Sequence, residues 1–378
     1  MGIYPNYGGV EKVTTILANE FAKQGMCVSI VSFEQPVPEL AGELLPGIRL
    51  YKLDYPVLTR NNRVKLARII RKNDIRYIIN QWAVPWYVAR LCRNAILGTE
   101  CRLITVHHNI PNMNTRIQQI EIDIAGGKGN KLVCRLKHIA VKSISRLSLR
   151  YVYEVSDRYI VLSSSFIPIL GNYIRKKSLP KALALGNPIT ILNSAQPDYQ
   201  NKINEIIYVG RVEYNQKHTY RLLDVWKTVY PYHQDWNLTI VGDGPDLNDL
   251  KRRAISMGLE NISFEGFQSP LNYYKRAKIL LLLSEYEGFP LVIGEAMSQG
   301  AVPVILGSFP AVYDIVKDGC GLVIKPPYNP ENVAKSLLAL MKNDEKLKTM
   351  GYRSIEVSKE FELPAIVKMW NTIFKSRM

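Results

Sequence analysis

Residues 279–306 read ILLLLSEYEGFPLVIGEAMSQGAVPVIL, and this stretch decides the fold class. Residues 279–283 are an unbroken apolar run of strand length, and residues 302–306 are a second one. Between them, residues 290–299 predict a helix that Gly300 ends. Two short apolar strands joined through a helix form a βαβ unit, in which the strands are parallel.

The same alternation runs through the rest of the second half. Its further strands are predicted at residues 205–210, 237–241, 262–264 and 321–324, with helices between them. Parallel strands joined by helices form a sheet that is covered on both faces, so we predict a doubly wound α/β domain. Ligands of this fold bind at the carboxyl ends of the strands.

The first half repeats the pattern less regularly, with strands predicted at residues 28–33, 77–79, 102–106 and 159–162. Asn, Pro, Ser and Gln are concentrated in residues 191–204, which we interpret as a linker. We therefore predict two Rossmann-like domains, at residues 1–190 and 205–360, that face each other across a cleft. Residues 361–378 are predicted to form a helix that packs back on the first domain.

The amino end does not fit this fold. A doubly wound domain opens with a buried strand of about five or six residues, yet only three residues precede the loop at residues 4–9. We expect that the first strand is missing and that the native reading frame begins upstream of Met1. The alternative is a domain that lacks a central strand.

The composition of the 378 residues is that of a folded protein, and its charge is uneven. Hydrophobic residues make up 47% and charged residues 22%, which excludes a disordered chain. The net charge is +16, and residues 1–190 hold 27 Lys and Arg against 12 Asp and Glu. Such a basic half favours a polyanionic partner: a nucleic acid, an anionic membrane or a phosphorylated substrate. A basic surface that only keeps the protein soluble is the alternative.

Cysteine and metal-ligand patterns exclude several classes of site. The five cysteines are scattered and form no C-x-x-C pair, and no H-E-x-x-H or Asp-x-Asp pattern occurs. Neither a disulfide framework nor a metal site is therefore predicted, and a reducing cytosol fits the cysteine pattern. No apolar run approaches the ~20 residues of a membrane span.

Two carboxylates flank the start of the helix in the opening stretch. Glu287 lies in the loop after the strand, and Glu295 lies more than a turn into the helix. The free amides of a helix amino end bind anions, and Gly288 allows a ligand to approach the backbone. We interpret the two carboxylates as a grip for sugar hydroxyls beside a phosphate. Taken singly, Glu287 could instead complement the helix dipole and Glu295 could be an exposed helix residue.

Cations and further glycines follow other strands. Arg211 comes directly after a strand and Lys217 stands before the next helix, so both could neutralise a diphosphate leaving group. Solvated basic loops are the alternative for these two residues. Gly8 and Gly9 open the first helix and form a weaker phosphate-binding pattern. Two histidines, His107 and His108, end a strand, where alternation points one of them towards the cleft and the other into the sheet packing.

These motifs together resemble the retaining glycosyltransferases of family 4, which have the GT-B architecture. The resemblance is strongest over residues 205–345, above all in the Glu287-x7-Glu295 pattern inside YEGFPLVIGEAM. It also includes the segments YVGR at 208–211, VGDGP at 241–245, EGF at 265–267 and HNIP at 108–111.

The resemblance implies a nucleotide-diphosphate sugar donor, expected to be a UDP-sugar, and no metal or other cofactor. Arg211 and Lys217 would hold the diphosphate, Glu295 the ribose, and Gly266 with Phe267 would lie near the base. The sugar hydroxyls and phosphate would be bound by Glu287, by Gly288 and by the backbone amides of Phe289, Pro290 and Leu291. From the other domain, Gly9 would approach the phosphates and one histidine the donor sugar, with His108 ranked above His107. Retention would follow from front-face attack, in which the departing phosphate oxygen accepts the acceptor's proton.

The acceptor side is suggested by a basic segment that begins at Lys128 and ends at Arg150. Its apolar residues recur at helical spacing, and no acidic residue occurs from Ile124 to Tyr153. Such a helix binds anionic lipid, whereas a core helix with a basic outer face is the alternative. The resemblance then implies a lipid-linked saccharide acceptor of a cell-surface polysaccharide, and a cytoplasmic enzyme peripheral on the inner membrane face.

Three other functions share parts of this pattern. A nicotinamide dehydrogenase needs G-x-G-x-x-G, but Gly242-Asp243-Gly244 is followed by Pro245 and has no third glycine. A nucleotide-sugar epimerase or another GT-B enzyme, such as a phosphorylase, shares the architecture. A basic binding module for nucleic acid is the last alternative, and no helix-turn-helix, zinc-finger or RNA-binding pattern supports it.

Overall fold

The computed structural model describes residues 8–33, 42–113, 130–191 and 199–376, together with residues 117, 119–121, 124 and 126. The chain divides into two compact units. Unit 1 consists of Met1–Asn187 with Ile366–Met378, and unit 2 consists of Pro188–Ala365.

Unit 1 alternates helices with short parallel strands. In chain order its elements are α1 (Gly9–Lys23), β1 (Ser29–Phe33), β2 (Arg49–Leu53), α2 (Arg60–Lys72), β3 (Tyr77–Asn80), α3 (Trp86–Ala95), β4 (Arg102–His107), α4 (Lys131–Val155), β5 (Arg158–Val161), α5 (Phe166–Ile174) and β6 (Ala182–Ala184). The strands form two parallel sheets, one of β1 and β2 and one in the order β3-β4-β5-β6. All four strands predicted for the first half are present, with ends that differ by one residue.

The predicted pattern did not include β2 and β6. The sequence of β2, RLYKL, has basic residues at two of its five positions, and only Leu53 in it is buried. The other strand, β6, has three residues, each partly exposed. Both lie at the end of a sheet. A strand there is less covered by other elements than a strand in the middle, so fewer of its residues need to be apolar.

Unit 2 contains a six-stranded parallel sheet. Its elements are β7 (Ile203–Val209), α6 (Tyr220–Val229), β8 (Asn237–Val241), α7 (Leu247–Ser256), β9 (Ile262–Gly266), α8 (Leu271–Arg276), β10 (Ala277–Leu282), α9 (Leu291–Ser298), β11 (Val302–Leu306), α10 (Val312–Ile315), β12 (Leu322–Ile324), α11 (Pro330–Met341) and α12 (Asp344–Ser358). The strand order is β12-β11-β10-β7-β8-β9.

This order places a topological switch point between β7 and β10. From β7 the chain proceeds outward to β8 and β9, and it then returns to the other side of β7 as β10. Helices that connect these strands leave a crevice at the carboxyl ends of the two strands where the winding direction reverses. The fold of unit 2 therefore predicts that its ligand site lies where the chain leaves β7 and β10.

Some predicted boundaries need correction. The linker at 191–204 was drawn too long, because β7 begins at Ile203, where it pairs with Ala277 of β10; residues 192–198 lie outside the described part. In the opening stretch, the helix begins at Leu291 and Pro290 is its N-cap. The last helix, α13 (Leu363–Lys375), contributes Ile366 onward to unit 1.

Aromatic packing attaches α13 within unit 1. The ring of Phe374 lies 5.5 Å from that of Phe21 on α1 and 4.7 Å from that of Tyr77 on β3. In addition, the Tyr77 hydroxyl donates a hydrogen bond to the Phe374 carbonyl. The end of the chain thus completes the hydrophobic interior of the first unit.

Candidate active site

Glycine turns bring the loops after β7, β8 and β9 together. The Gly242 amide donates to the Gly266 carbonyl over 2.7 Å, and the Val212 amide donates to the Asp243 carbonyl over 2.9 Å. Gly242 has φ +146°, and a Cβ there would lie 1.9 Å from the Gly210 carbonyl oxygen. Only glycine fits this contact. The loop after β8 therefore packs directly against the loop after β7.

Lys217 and Glu287 meet at the switch point. Lys217 lies in the loop between β7 and α6, Glu287 lies in the loop between β10 and α9, and Lys217 Nζ is 2.5 Å from Glu287 Oε1. The two side chains are 19% and 7% exposed, respectively. Two residues 70 positions apart in the sequence, both predicted as site residues, thus form one partly buried ion pair.

Polar contacts of Gln216 join the same two loops. The Glu285 amide donates to the Gln216 carbonyl over 2.8 Å, and Gln216 Nε2 donates to the Tyr286 carbonyl over 3.1 Å. Gln216 precedes Lys217 in the sequence, and its contacts hold the loop that carries Glu287.

The buried side chain of Arg221 contacts the end of β10 and the loop that follows it. Arg221 is 8% exposed, and it donates to the Leu283 carbonyl over 2.9 Å and to Glu285 Oε2 over 2.7 Å. Its guanidinium lies 4.5 Å from the ring centroid of Tyr328. None of the residues Gln216, Arg221 and Glu285 was predicted as a site residue. The one signal for Arg221 is its place four residues after Lys217, at the start of α6, from which it can reach the same neighbouring loop.

The amino end of α9 faces the same region. Pro290 is its N-cap, and the Phe289 ring packs against Phe361 at 5.6 Å. The expectation that Phe289, Pro290 and Leu291 all supply amides is wrong for Pro290, because proline has no amide hydrogen. Phe289 and Leu291 therefore remain as donors of this set, next to the positive end of the helix.

Glu295 is a buried residue, which excludes the reading of an exposed helix carboxylate. It is 3% exposed, it accepts a hydrogen bond from the Thr190 hydroxyl, and it accepts another from the Tyr274 hydroxyl over 3.0 Å. Burial and the nearby Glu295 raise the pKa of Tyr274 well above its usual value, so this hydroxyl stays a donor. Thr190 and Tyr274, which fix the orientation of the carboxylate, were not predicted as site residues.

Three predicted donor-binding residues lie at the carboxyl ends of β7 and β9, namely Arg211, Gly266 and Phe267. The Arg211 side chain is 66% exposed, with Nε 3.6 Å from Glu213 Oε2. Gly266 ends β9 with φ +68°, and the following Phe267 is 73% exposed. An exposed cation and an exposed aromatic ring are thus available to a ligand at the ends of β7 and β9.

In unit 1, the two histidines at the carboxyl end of β4 have different surroundings. His107 is 2% exposed, and its Nδ1 lies 2.7 Å from the Tyr159 hydroxyl. His108 is partly exposed, with Nε2 2.7 Å from Gln81 Oε1 and a buried Nδ1 that has no hydrogen-bond partner among the described residues. Burial lowers the pKa of His107 to about 3, with a contribution from His108, and that of His108 to about 4. Both rings are therefore neutral near pH 7.

The glycines at the start of α1 are arranged as a helix amino end. Gly8 is the N-cap in an extended conformation, and Gly9 is the first helical residue. The Lys12 amide donates to the Gly8 carbonyl over 3.1 Å.

Comparison with known proteins identifies the class. A family model described as "Glycosyl transferases group 1" matches residues 192–357, and one described as "Glycosyltransferase Family 4" matches residues 7–173. A doubly wound unit with a ligand site at its switch point fits a transferase that uses a nucleotide-activated substrate. The protein is a glycosyltransferase with the GT-B fold. The chain belongs to glycosyltransferase family 4.

Relatives match along almost the whole chain. An uncharacterized glycosyltransferase of Haemophilus influenzae is 25% identical, covering 97% of this chain and 96% of its own length. The amylovoran biosynthesis glycosyltransferase AmsD of Erwinia amylovora is 24% identical with the same coverage. A Campylobacter jejuni enzyme is 25% identical over 97% of this chain and 94% of its own. Its name is GalNAc-alpha-(1->4)-GalNAc-alpha-(1->3)-diNAcBac-PP-undecaprenol alpha-1,4-N-acetyl-D-galactosaminyltransferase.

Solved structures confirm the fold. Anabaena HepE, crystallised with UDP, superposes with a TM-score of 0.75 at 15% identity over 98% of this chain and 97% of its own. A mutant of S. aureus TarM, in complex with Fondaparinux, alpha-GlcNAc-glycerol and UDP, gives a TM-score of 0.73 at 13% identity over 98% and 97%. These structures share the two-domain fold of this chain.

Proposed function

We propose that the protein transfers a hexose or N-acetylhexosamine from a UDP-sugar to a lipid-linked saccharide, with retention of anomeric configuration and without a metal ion. The observation that carries this proposal is the Lys217–Glu287 pair at the switch point, beside the amino end of α9. A fixed cation, a carboxylate and free helix amides in one place suit a sugar diphosphate, since each recognises a different part of it.

The donor diphosphate is assigned to the two cations. Lys217 stabilises the phosphate oxygen that becomes the leaving group, and the exposed guanidinium of Arg211 binds the other oxygens of the diphosphate. Because these side chains already supply positive charge, added divalent cations are not required. The helix amides of Phe289 and Leu291 add further donors for the phosphate nearest the sugar.

Ribose and base are assigned to the other end of the site. Glu295 accepts hydrogen bonds from the ribose hydroxyls, and a carboxylate has enough lone pairs to keep Thr190 and Tyr274 as partners at the same time. Gly266 leaves room for the base, and the Phe267 ring packs on it. Structures of HepE and TarM contain UDP, which supports uracil as the base.

The sugar hydroxyls are assigned to Glu287 in unit 2. Glu287 binds Lys217 through Oε1, and Oε2 accepts hydrogen bonds from the hydroxyls of a bound sugar. In unit 1, His108 is neutral near pH 7, and its Nδ1, which has no partner among the described residues, can accept a hydrogen bond from a hydroxyl of a bound saccharide, whereas His107 lies in the interior. Gly8 and Gly9 open α1 without side chains and allow the phosphates to approach.

Retention follows from front-face attack. The bond between the anomeric carbon and the diphosphate oxygen breaks as the acceptor hydroxyl attacks from the same side, and the leaving oxygen accepts the hydroxyl proton. Positive charge on Lys217 and Arg211 lowers the energy of that departure. This step needs no nucleophilic carboxylate on the protein.

The acceptor is assigned through α4 in unit 1. Exposed apolar side chains occupy one arc of this helix of about 140° at 100° per residue: they are Leu132, Val133, Leu136, Ile139, Ile144 and Leu147, each 46–66% exposed. Basic side chains flank the arc, among them Arg135, Lys137 and Lys142.

An apolar stripe bordered by cations is the pattern of a helix that lies in an anionic membrane surface. Residues 128 and 129 of the predicted segment lie outside the described part, Asn130 caps the helix, and α4 continues to Val155. None of the helices in the described part of the chain is both long and apolar enough to cross a bilayer. The name of the Campylobacter jejuni relative gives an undecaprenol-linked acceptor, which supports a lipid-linked acceptor here. We place the enzyme in the cytoplasm, peripherally on the inner membrane face.

Transfer is tested with a panel of UDP-sugars and undecaprenyl-diphosphate saccharides, with the anomeric coupling of the product read by NMR. We expect transfer with an α-linked product from an α-linked donor, in the presence of EDTA. Transfer should fall roughly a hundredfold or more in Lys217→Ala and should persist in Lys335→Ala, which removes an exposed lysine on α11. Absence of transfer from every nucleotide sugar would refute the proposal.

Membrane binding is tested separately by co-sedimentation with vesicles containing phosphatidylglycerol. We expect binding that salt weakens and that Leu136→Ser with Ile139→Ser abolishes. The control is Leu97→Ser, which removes an equally exposed leucine (62%) elsewhere in unit 1. Equal sedimentation of all three proteins would contradict the assignment of α4.

A further inference from the structure

A lysine is buried at the amino end of β7 in unit 2. Lys202 directly precedes this strand, and only 8% of the residue is exposed. Lysine is rarely buried to this degree unless its ammonium group has partners. The length of β7 separates Lys202 from the carboxyl end of the strand, where Arg211 and Lys217 follow, so any effect of Lys202 on a bound nucleotide must pass through other residues.

The partners of Lys202 are carbonyl groups at the carboxyl end of α8. Its Nζ donates a hydrogen bond to each of three carbonyls, those of Tyr274 (3.0 Å), Lys275 (3.2 Å) and Ala277 (2.7 Å). The last carbonyls of a helix have no partner within the helix and lie at the negative end of its dipole. Because an ammonium group has three N–H donors, Lys202 satisfies all three carbonyls and caps the helix.

An ion pair joins the same end of α8 to β7. Arg276 is the last residue of α8, and it donates to both carboxylate oxygens of Glu205 on β7, over 2.8 and 2.9 Å. Glu205 is only 2% exposed. Two charged groups, Lys202 and the Arg276–Glu205 pair, thus hold the last turn of α8 against the first residues of β7.

The turn held in this way carries Tyr274, which binds Glu295. Tyr274 is fully buried, and its hydroxyl donates to Glu295 Oε2 over 3.0 Å. The backbone carbonyl of the same tyrosine accepts a hydrogen bond from Lys202. Lys202 therefore fixes the backbone position from which the tyrosine side chain reaches the carboxylate.

We propose that Lys202 is a positioning residue for the nucleotide, because it fixes the last turn of α8 and thereby, through Tyr274, orients Glu295 towards the ribose hydroxyls. The inference rests on the proposed function, which assigns the ribose to Glu295. A hydrogen bond weakens steeply as its geometry departs from the best angle. If the three carbonyls lose their donor and the turn shifts, the bonds between the carboxylate and the ribose weaken, whereas the contacts of the diphosphate do not change.

The test compares the binding of UDP and of 2′,3′-dideoxy-UDP, which lacks both ribose hydroxyls, by isothermal titration calorimetry of the full chain. We expect the unmodified protein to bind UDP at least tenfold more tightly, because hydrogen bonds to a charged group are the stronger ones. Lys202→Met keeps an unbranched side chain and removes the donors. In this variant the preference for UDP should fall to about threefold or less, with the affinity for the dideoxy nucleotide unchanged.

Two further variants distinguish positioning from a general loss of stability. Lys278→Met removes another lysine of unit 2, whose side chain is 12% exposed and binds Asn204 and Asp344, and it should keep the full preference for UDP. Tyr274→Phe should lower the preference as Lys202→Met does. The double variant should show no further decrease, because both changes act through the same hydrogen bond.

Circular dichroism checks that each variant is folded. If Lys202→Met does not fold, Lys202→Gln replaces it, because the amide keeps two N–H donors, and the preference should then fall by a smaller factor. A full preference for UDP in the folded Lys202 variant, or a further decrease in the double variant, would overturn the inference and leave the proposed function intact. Equal binding of the two nucleotides by the unmodified protein would instead refute the assignment of the ribose to Glu295, and the role of Lys202 with it.

Discussion

Removing Lys217 should affect folding and chemistry in ways that a second substitution can separate. In Lys217→Ala, Glu287 keeps a carboxylate that is only 7% exposed and loses the ammonium 2.5 Å away. Breaking a buried ion pair from one side costs about 3 kcal/mol or more, because the remaining carboxylate keeps only a long hydrogen bond of 3.5 Å from Gln216 Nε2. For a unit of the size of unit 2, about 3 kcal/mol corresponds to a decrease of roughly 6–12 °C in the melting temperature.

The double variant Lys217→Ala with Glu287→Gln should recover most of this stability, since a neutral amide does not need the cation. Its transfer rate should stay reduced by roughly a hundredfold or more, because the leaving phosphate oxygen has lost its cation. Thermal unfolding followed by circular dichroism and a transfer assay on the same preparations measure both effects. A double variant that regains transfer together with stability would show that Lys217 acts on folding alone.

Three further predictions concern acid sensitivity, a glycine contact and the base. The pKa values of His107 (about 3) and His108 (about 4) lie below the ordinary 6.5, so the unfolded chain takes up protons first and stability falls as pH drops below 6.5. At pH 5 the loss should reach about 2 kcal/mol for each ring, measured by urea unfolding, and an unchanged midpoint would show that the folded protein does not hold the two rings neutral. Gly242→Ala places a Cβ 1.9 Å from a carbonyl oxygen and should prevent folding of unit 2, whereas Gly258→Ala, with φ +63° and open space, should cost about 1 kcal/mol in a urea titration. Phe267→Ala should weaken UDP binding about tenfold in calorimetry without a change in melting temperature, and equal affinity would remove Phe267 from the base site.

The second half of the chain could be predicted well because most of its strand residues are apolar and glycines or prolines stand close to the strand ends. Asn237–Val241 and Val302–Leu306 were predicted with their observed ends. Central parallel strands are apolar on both faces. This composition distinguishes them from the turns beside them in the sequence. The end strands β2 and β6 were missed because partly exposed strands do not need an apolar pattern.

For the site, the sequence indicated which residues to expect and not how they touch. Lys217 and Glu287 were both predicted, since each follows a strand whose carboxyl end faces the ligand. Their contact depends on β7 and β10 being neighbours in the sheet, and a strand order with a reversal cannot be read from one sequence. For the same reason the supports Gln216 and Arg221 were missed, because their partners lie on the loop after β10.

The central claim is that unit 2 binds a nucleoside diphosphate through Lys217 at the switch point. Isothermal titration calorimetry of the full chain against UDP, ADP and GDP tests it most directly, with Lys335→Ala as the control for the loss of one lysine. We predict binding of UDP that weakens at least tenfold in Lys217→Ala and is unchanged in the control. Equal affinity of the two variants, or binding of none of the three nucleotides, would contradict the claim.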